Sequence, residues 1–148
     1  MNNSPNFLES CEMLGLNPDE LMLSPTLSDN TPDSVRKRIK QLNAATKLSV
    51  CMMAWNKQDG FEPDEKANYY QEGVGYTPQF YIADGKLLLS SDSVNSGASV
   101  GIVYAKGFYS DEYIITPDAN LGLRLPLSSR ERAVEFGKTF IDIFNELI

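Results

Sequence analysis

The sequence contains no histidine, and this absence excludes several common kinds of catalytic site. Ser-His-Asp triads, Cys-His pairs and metal sites with histidine ligands all require an imidazole. Residues 97–101 read Gly-Ala-Ser-Val-Gly and match the G-x-S-x-G pattern of hydrolase nucleophiles by letter. That motif needs a histidine partner and a strand-turn-helix setting. The match is therefore interpreted as chance.

Cofactor and metal motifs are also missing. Cys11 and Cys51 are too few for a four-ligand zinc site, and neither a C-x-x-C pattern nor a phosphate-binding glycine loop occurs. Acidic pairs at residues 64–65 and 111–112 are interpreted as solvated surface rather than as acid/base or cation sites. We expect a non-enzymatic protein with no cofactor and no metal. Both cysteines are expected to be reduced and buried.

Long hydrophobic runs and a basic leader are absent as well. No apolar stretch approaches the roughly 20 residues needed to span a bilayer, and no charged start precedes an apolar run. We therefore expect no membrane partner. The net charge of −7 disfavours non-specific binding to nucleic acid, because phosphate contacts need clustered lysine and arginine.

Charge is nonetheless unevenly distributed along the chain. Residues 1–30 contain five acidic residues and no basic one, whereas Arg36, Lys37, Arg38 and Lys40 crowd the start of one helix. Cations near a helix N-terminus oppose the helix macrodipole. The first interpretation is that the acidic segment folds alongside and neutralises them. A phosphate-binding basic patch is the alternative.

Periodicity and turn signals predict an α+β fold in a single domain of 148 residues. Four regions are expected in chain order: short helices and an acidic arm over residues 1–30, one long central helix over 31–57, an antiparallel sheet of four to five strands over 76–127, and an amphipathic helix over 128–148. The last helix is expected to pack on the sheet.

Local signals support this division. Ser4 is predicted to cap the first helix, and Gly15 is predicted to end it. The apolar stripe of that helix consists of Phe7, Leu8, Cys11 and Leu14. Asp84 and Gly85 join two β-rich runs and predict a tight hairpin. A loop is expected over residues 90–99, which are rich in serine and glycine.

The long helix has two different halves. In the first half, Val35, Ile39 and Leu42 fall in line on one face. The second half, residues 48–55, is apolar almost all round. Such a segment is predicted to be the buried spine of the fold.

The C-terminal stretch combines an alternating run with a helix. Its leucines predict one face of a strand: Leu121, Leu123, Leu125 and Leu127. Ser128 and Glu131 form an S-x-x-E capping box, so the helix is predicted to begin there and to run to the last residue. Its buried face includes Gly137, which predicts a close approach to another element.

Tyrosines are concentrated around the predicted strands. A candidate interaction surface consists of Tyr76, Tyr81, Tyr104, Tyr109 and Tyr113. Exposed tyrosines are good interface anchors, because they combine an apolar ring with a polar tip. Lysine and arginine are sparse in this part of the chain, so a protein partner is favoured over nucleic acid.

The same C-terminal stretch carries a family resemblance. The strand motif at residues 122–127 and the helix motif formed by Ala133, Gly137, Lys138 and Phe140 resemble those of small uncharacterised proteins from phages and mobile elements of Bacteroidetes. Upstream residues resemble further motifs of that family: Asn56, Gly60, Phe61, Pro63, Asp64, Tyr69 and Tyr70. The resemblance implies a genomic setting and supplies no catalytic residue.

These observations favour a non-enzymatic phage or mobile-element protein that acts through protein–protein contacts. Self-association and a role as a small virion or assembly component are the specific expectations. An intracellular accessory factor that binds nucleic acid, or inhibits a host nucleic-acid enzyme, is the alternative. The expected location is the cytoplasm of a bacterial host, with incorporation into the virion left open.

Overall fold

A computed structural model of the chain describes residues 2–63, 75–95, 114–115, 117 and 123–148. Eight elements lie within this part: α1 (Phe7–Leu14), α2 (Pro18–Leu21), α3 (Asp33–Asp59), β1 (Tyr76–Ala83), β2 (Lys86–Asn95), β3 (Ile114–Ile115), α4 (Arg130–Thr139) and α5 (Ile141–Asn145). Helix α4 packs on β1 and β2, α5 contacts β2 and α3, and α1 packs on α3. The mixed composition confirms the α+β class and the packing of the C-terminal segment on a sheet.

The sheet is antiparallel, with strand order β2-β1-β3. Asp84 and Gly85 have φ of 51° and 73°, as a two-residue hairpin turn requires, so the predicted hairpin is confirmed. Strand β2 runs on to Asn95, so the prediction of a loop is wrong for residues 90–95. Residues 96–99 of the predicted loop lie outside the described residues. The described residues contain three strands rather than the expected four to five.

Helix α1 begins two residues later than expected. Asn6 is its cap: Asn6 Oδ1 accepts the Glu9 N–H at 2.9 Å, and the Glu9 carboxylate accepts the Asn6 N–H at 3.2 Å. The predicted cap, Ser4, instead donates its hydroxyl to the Glu135 carboxylate of α4. Gly15 ends the helix as predicted, with φ of 69°.

Helix α4 also begins later than expected, by one residue. Ser129 Oγ accepts the Arg132 N–H at 3.1 Å, so Ser129 and not Ser128 is the cap. The Ser128 hydroxyl donates to Asp59 Oδ2 at 2.7 Å. In both helices a serine that could cap locally is engaged by a distant carboxylate, and the next suitable residue caps the helix.

The predicted strand before α4 is largely irregular. Leu125 and Leu127 are buried, as the alternation predicted. However, among residues 123–127 only Leu127 pairs, through a single antiparallel bridge to Tyr76. The Pro126 carbonyl accepts a hydrogen bond from Asn56 Nδ2 at 2.8 Å. The Leu123 N–H donates to the Pro117 carbonyl at 2.8 Å. Residues 123–127 are therefore held by separate contacts rather than by a regular ladder, and Leu121 lies outside the described residues.

The C-terminal helix is also interrupted, since α4 ends at Thr139 and α5 starts at Ile141. The break lets Asn145 reach the strand edge: its Oδ1 accepts the Leu87 N–H at 2.7 Å, and its Nδ2 donates to the Leu87 carbonyl at 3.0 Å. Asn145 thus pairs with the backbone of β2, which is an edge strand of the described sheet.

Aromatic rings form the centre of the core. The Trp55 ring lies 5.0 Å from the Phe136 ring at 80°, and Phe136 lies 4.7 Å from Phe140. Phe80 of β1 and Phe144 of α5 are 4.6 Å apart. All of these rings are buried, which confirms the second half of α3 as the spine of the fold.

Helix α4 crosses the sheet at Gly137. A Cβ built there would lie 2.7 Å from Leu89 Cδ1 and 2.8 Å from Pro78 Cβ. The predicted close approach is confirmed, although the neighbours are side chains rather than backbone. The Pro78 ring has little freedom to move, so a side chain at this position would push α4 off the sheet.

We expect Gly137→Leu to lower the free energy of unfolding by about 1–3 kcal/mol, because it overpacks the contact between α4 and the sheet. Urea denaturation measures the change. Lys138→Leu introduces the same side chain at the next, exposed position and should change the free energy by less than about 0.5 kcal/mol. Equal effects of the two substitutions would contradict the close packing at Gly137.

Candidate functional site

The predicted basic patch lies on the first part of α3. Residues 33–38 are exposed at six consecutive positions, and such a run covers every direction around a helix. Burial in α3 begins only at Ala44. We call residues 33–43 the basic tip. Its four cations are all exposed: Arg36, Lys37, Arg38 and Lys40.

The acidic segment forms no ion pair with these cations within the described residues. Arg36 Nη2 donates to the Ser28 carbonyl at 2.8 Å, and both ion pairs found in the described part of the chain involve Arg132. The loop before α3 presents backbone to the helix, since Asn43 bonds both the N–H and the carbonyl of Leu23. The segment therefore folds alongside the helix as expected, whereas neutralisation of the cations by its carboxylates stays a prediction.

The basic tip also exposes apolar side chains. Val35 is 43% exposed and Leu42 is 47% exposed, on the face that they share with Ile39. Of seven large hydrophobic side chains left exposed in the described residues, five belong to the first 42 residues: Leu8, Leu16, Leu23, Val35 and Leu42. Burying such side chains would be favourable by about 25 cal/mol per Å². The apolar stripe was predicted, but its exposure was not.

A groove of about 500 Å³ opens beside the basic tip, where α1 and α2 meet α3 and the C-terminal helices. We define the groove by its apolar side chains and its two charged ones: Phe7, Leu8, Met22, Ile143, Asp19 and Lys47. Leu8 is 65% exposed. The Lys47 ammonium lies 5.9 Å from the centre of the Phe7 ring, within the range of a cation–π contact.

The sequence did not predict the groove. The predicted apolar stripe consists of Phe7, Leu8, Cys11 and Leu14, and of these four only Cys11 is buried. The period of a helix shows which residues share a face and not what covers that face. The groove lies near the basic tip, because Leu23, which bonds Asn43 of the tip, directly follows Met22 of the groove.

The candidate tyrosine surface is only partly described. Tyr76 is half-buried against the core, and its ring lies 6.0 Å from the Arg130 guanidinium. Tyr81 is half-buried on β1. Tyr104, Tyr109 and Tyr113 lie outside the described residues. The tyrosine surface therefore stays a prediction.

A second polar cluster surrounds Arg132 at the start of α4. Its Nε lies 2.8 Å from Asp59 Oδ2, its Nη1 donates to Glu135 at 3.1 Å, and its Nη2 donates to Gln58 at 3.3 Å. Its guanidinium also lies 4.3 Å from the centre of the Trp55 ring. The guanidinium is thus occupied by protein groups. It joins α3 to α4 rather than offering donors to a ligand.

We expect Arg132→Lys to lower the free energy of unfolding by about 1–3 kcal/mol, because an ammonium cannot reproduce the planar fork of hydrogen bonds. Thermal or urea denaturation measures the loss. Arg38→Lys makes the same chemical change on the exposed basic tip and should leave stability within about 0.5 kcal/mol of wild type. If both variants matched wild type, the cluster would not stabilise the fold.

Two thiols lie between α1 and α3. Cys11 and Cys51 are free and buried, as predicted. The pKa of the Cys51 thiol is raised to about 12, chiefly by burial and also by Cys11, although a hydrogen bond with Ser10 and the charge of Lys47 act in the opposite direction. Burial also raises the pKa of Cys11. Neither thiol has the depressed pKa of a reactive cysteine.

The raised pKa of Cys51 predicts a loss of stability in alkali. The unfolded chain releases the proton near the ordinary pKa of 9.0, whereas the folded chain retains it up to about pH 12. Between these values the contribution of Cys51 to the free energy of unfolding should fall by about 1.4 kcal/mol per pH unit. Below pH 9 it is fully present.

Comparison of wild type with Cys51→Ala from pH 7 to 10 measures this slope. Both proteins carry the same other titrating groups, so the stability difference between them should shrink above about pH 9. Val50→Ala truncates a neighbouring buried side chain without a titrating group and should show a constant difference. Parallel curves for wild type and Cys51→Ala would refute the raised pKa.

Comparisons with known proteins add no family, since no family model, curated protein or solved structure matches the chain. The resemblance to small phage proteins therefore stays a prediction from the motifs. Within the described ranges, no group of three histidine, cysteine, aspartate or glutamate residues is placed to hold a metal ion. Across the same ranges, none of the helices combines the length and hydrophobicity needed to cross a membrane.

Proposed function

We propose that this protein acts through protein–protein contacts and that the basic tip of α3 is its binding surface. The observation that carries the proposal is the apolar stripe of Val35, Ile39 and Leu42, of which Val35 and Leu42 are exposed, on a helix that is exposed at every position from 33 to 38. An amphipathic helix of this kind binds by placing its apolar face in a hydrophobic groove. The cations beside the stripe favour an acidic partner.

The setting that we propose for this activity is a phage or mobile element in a bacterial host. There the protein would serve as a small assembly component in the host cytoplasm and in the virion. This part of the proposal is supported by the motif resemblance alone. The lack of histidine supports a non-enzymatic role, because the commonest acid/base and nucleophile-activating side chain is absent.

Nucleic-acid binding is the second candidate function, and the four exposed cations of the tip favour it. Phosphate groups would be held by such cations. A phosphate backbone would leave the apolar stripe uncovered, however, and the overall charge of −7 would oppose its approach. A protein surface accounts for both the cations and the stripe.

Site-specific photo-crosslinking in bacterial cells tests the proposal. A benzophenone amino acid at Val35 or Leu42 should give discrete protein adducts, because both side chains would lie in the interface. The same probe at Leu88 is the matched control, since Leu88 is 41% exposed but lies on β2. Adducts equally strong at Leu88, no adducts at all, or adducts removed by nuclease would each overturn the proposal.

A further inference from the structure

We infer that the partner of the basic tip is a second copy of this chain, whose groove receives it, and that the contact is reciprocal. The inference rests on the proposed function and names the partner. Each copy has an exposed helix segment with an apolar stripe, and each has a groove with an apolar lining about 500 Å³ in volume. A symmetric pair would use both surfaces of both copies and leave neither open.

The tip cannot occupy the groove of its own chain. Lys47 of the groove and Val35 of the tip belong to the same continuous helix, α3. At 1.5 Å per residue they lie about 18 Å apart along the helix axis. A straight helix cannot fold back on itself, so only a second molecule can bring a tip to this groove.

The apolar parts of the two surfaces are complementary. Val35, Ile39 and Leu42 supply the i, i+4, i+7 anchors by which a helix docks in a groove. In the groove, Leu8 supplies an apolar side chain that is 65% exposed in the single chain. Two antiparallel α3 helices, one from each copy, would set the tip of each beside the groove of the other.

The charges are complementary as well. Arg36 and Arg38 flank the apolar stripe of the tip, whereas Lys37 points to the opposite side of the helix. Asp19 lines the groove, and Glu12 lies one helical turn from Leu8 on α1. Lys47 is the one cation of the groove lining, and its ammonium is directed at the Phe7 ring.

A charge exchange tests the inference in solution with the full chain. The tip variant carries Arg36→Glu and Arg38→Glu, and the groove variant carries Glu12→Lys and Asp19→Lys. Wild type should sediment as a dimer of twice 16.5 kDa. Each variant alone should dimerise at least about tenfold more weakly, because like charges then meet across the interface.

An equimolar mixture of the two variants should restore a dimer, since each tip then meets a groove of opposite charge. Lys37→Glu with Lys40→Glu is the matched control, because it reverses the same number of charges at positions farther from the apolar stripe and should weaken dimerisation less than the tip variant does. A mixture that stays monomeric overturns the inference, and so does a dimer that neither variant weakens.

Failure of this inference is distinguishable from failure of the proposed function. A wild-type chain that remains monomeric up to about 1 mM overturns self-association, because contacts weaker than a millimolar dissociation constant would not hold two copies together. If the chain is monomeric in solution but Val35 crosslinks to a different protein in cells, the proposal of binding through the tip stands, and the inference that the partner is a second copy is rejected. If the wild-type chain stays monomeric and Val35 also crosslinks to no protein in cells, both the second copy and binding through the tip are rejected.

Discussion

The length of α3, compared with the elements that cover it, is the constraint on which the rest of the structure depends. A helix of 27 residues extends about 40 Å, whereas α1, α4 and α5 each have ten residues or fewer. These short elements bury α3 fully only from Ala44 onward, where it is the spine of the core. Gln41 still reaches the C-terminal segment, because its Nε2 donates to the Leu147 carbonyl at 2.9 Å. Residues 33–38 extend beyond these elements, and all six are exposed.

Trp55 fixes how the short elements are arranged around the buried half. Its ring is edge-on to Phe136 of α4, its face receives the Arg132 guanidinium, and its Nε1 donates to the Pro5 carbonyl at 3.0 Å. One side chain of α3 thus holds α4 and the segment that leads into α1. Phe7 and Leu8 of α1 and Thr139 at the end of α4 also line the groove, so Trp55 holds two of the elements that form its walls.

The sequence predicts those features that depend on a few neighbouring residues. The hairpin at Asp84 and Gly85 could be predicted because few residues adopt positive φ. The prediction of Ser128 as the cap was wrong because the Ser128 hydroxyl donates to Asp59, which is distant in sequence, and the adjacent Ser129 caps the helix instead. The cations of the candidate site were predicted directly from composition. The exposure of Val35 was not, because helical periodicity does not say whether another element lies against a face.

Local physical chemistry disfavours the basic tip as an isolated helix start. It has no side-chain cap at Pro32, its cations lie at the positive end of the helix macrodipole, and its apolar stripe faces solvent. The buried half of α3 can sustain it, because a helix extends from an existing nucleus more easily than it forms one. An acidic, apolar surface would relieve the charge and the exposure together. The basic tip thus departs from several rules of local helix stability at once, and one kind of partner would offset these departures. We therefore expect binding at the tip.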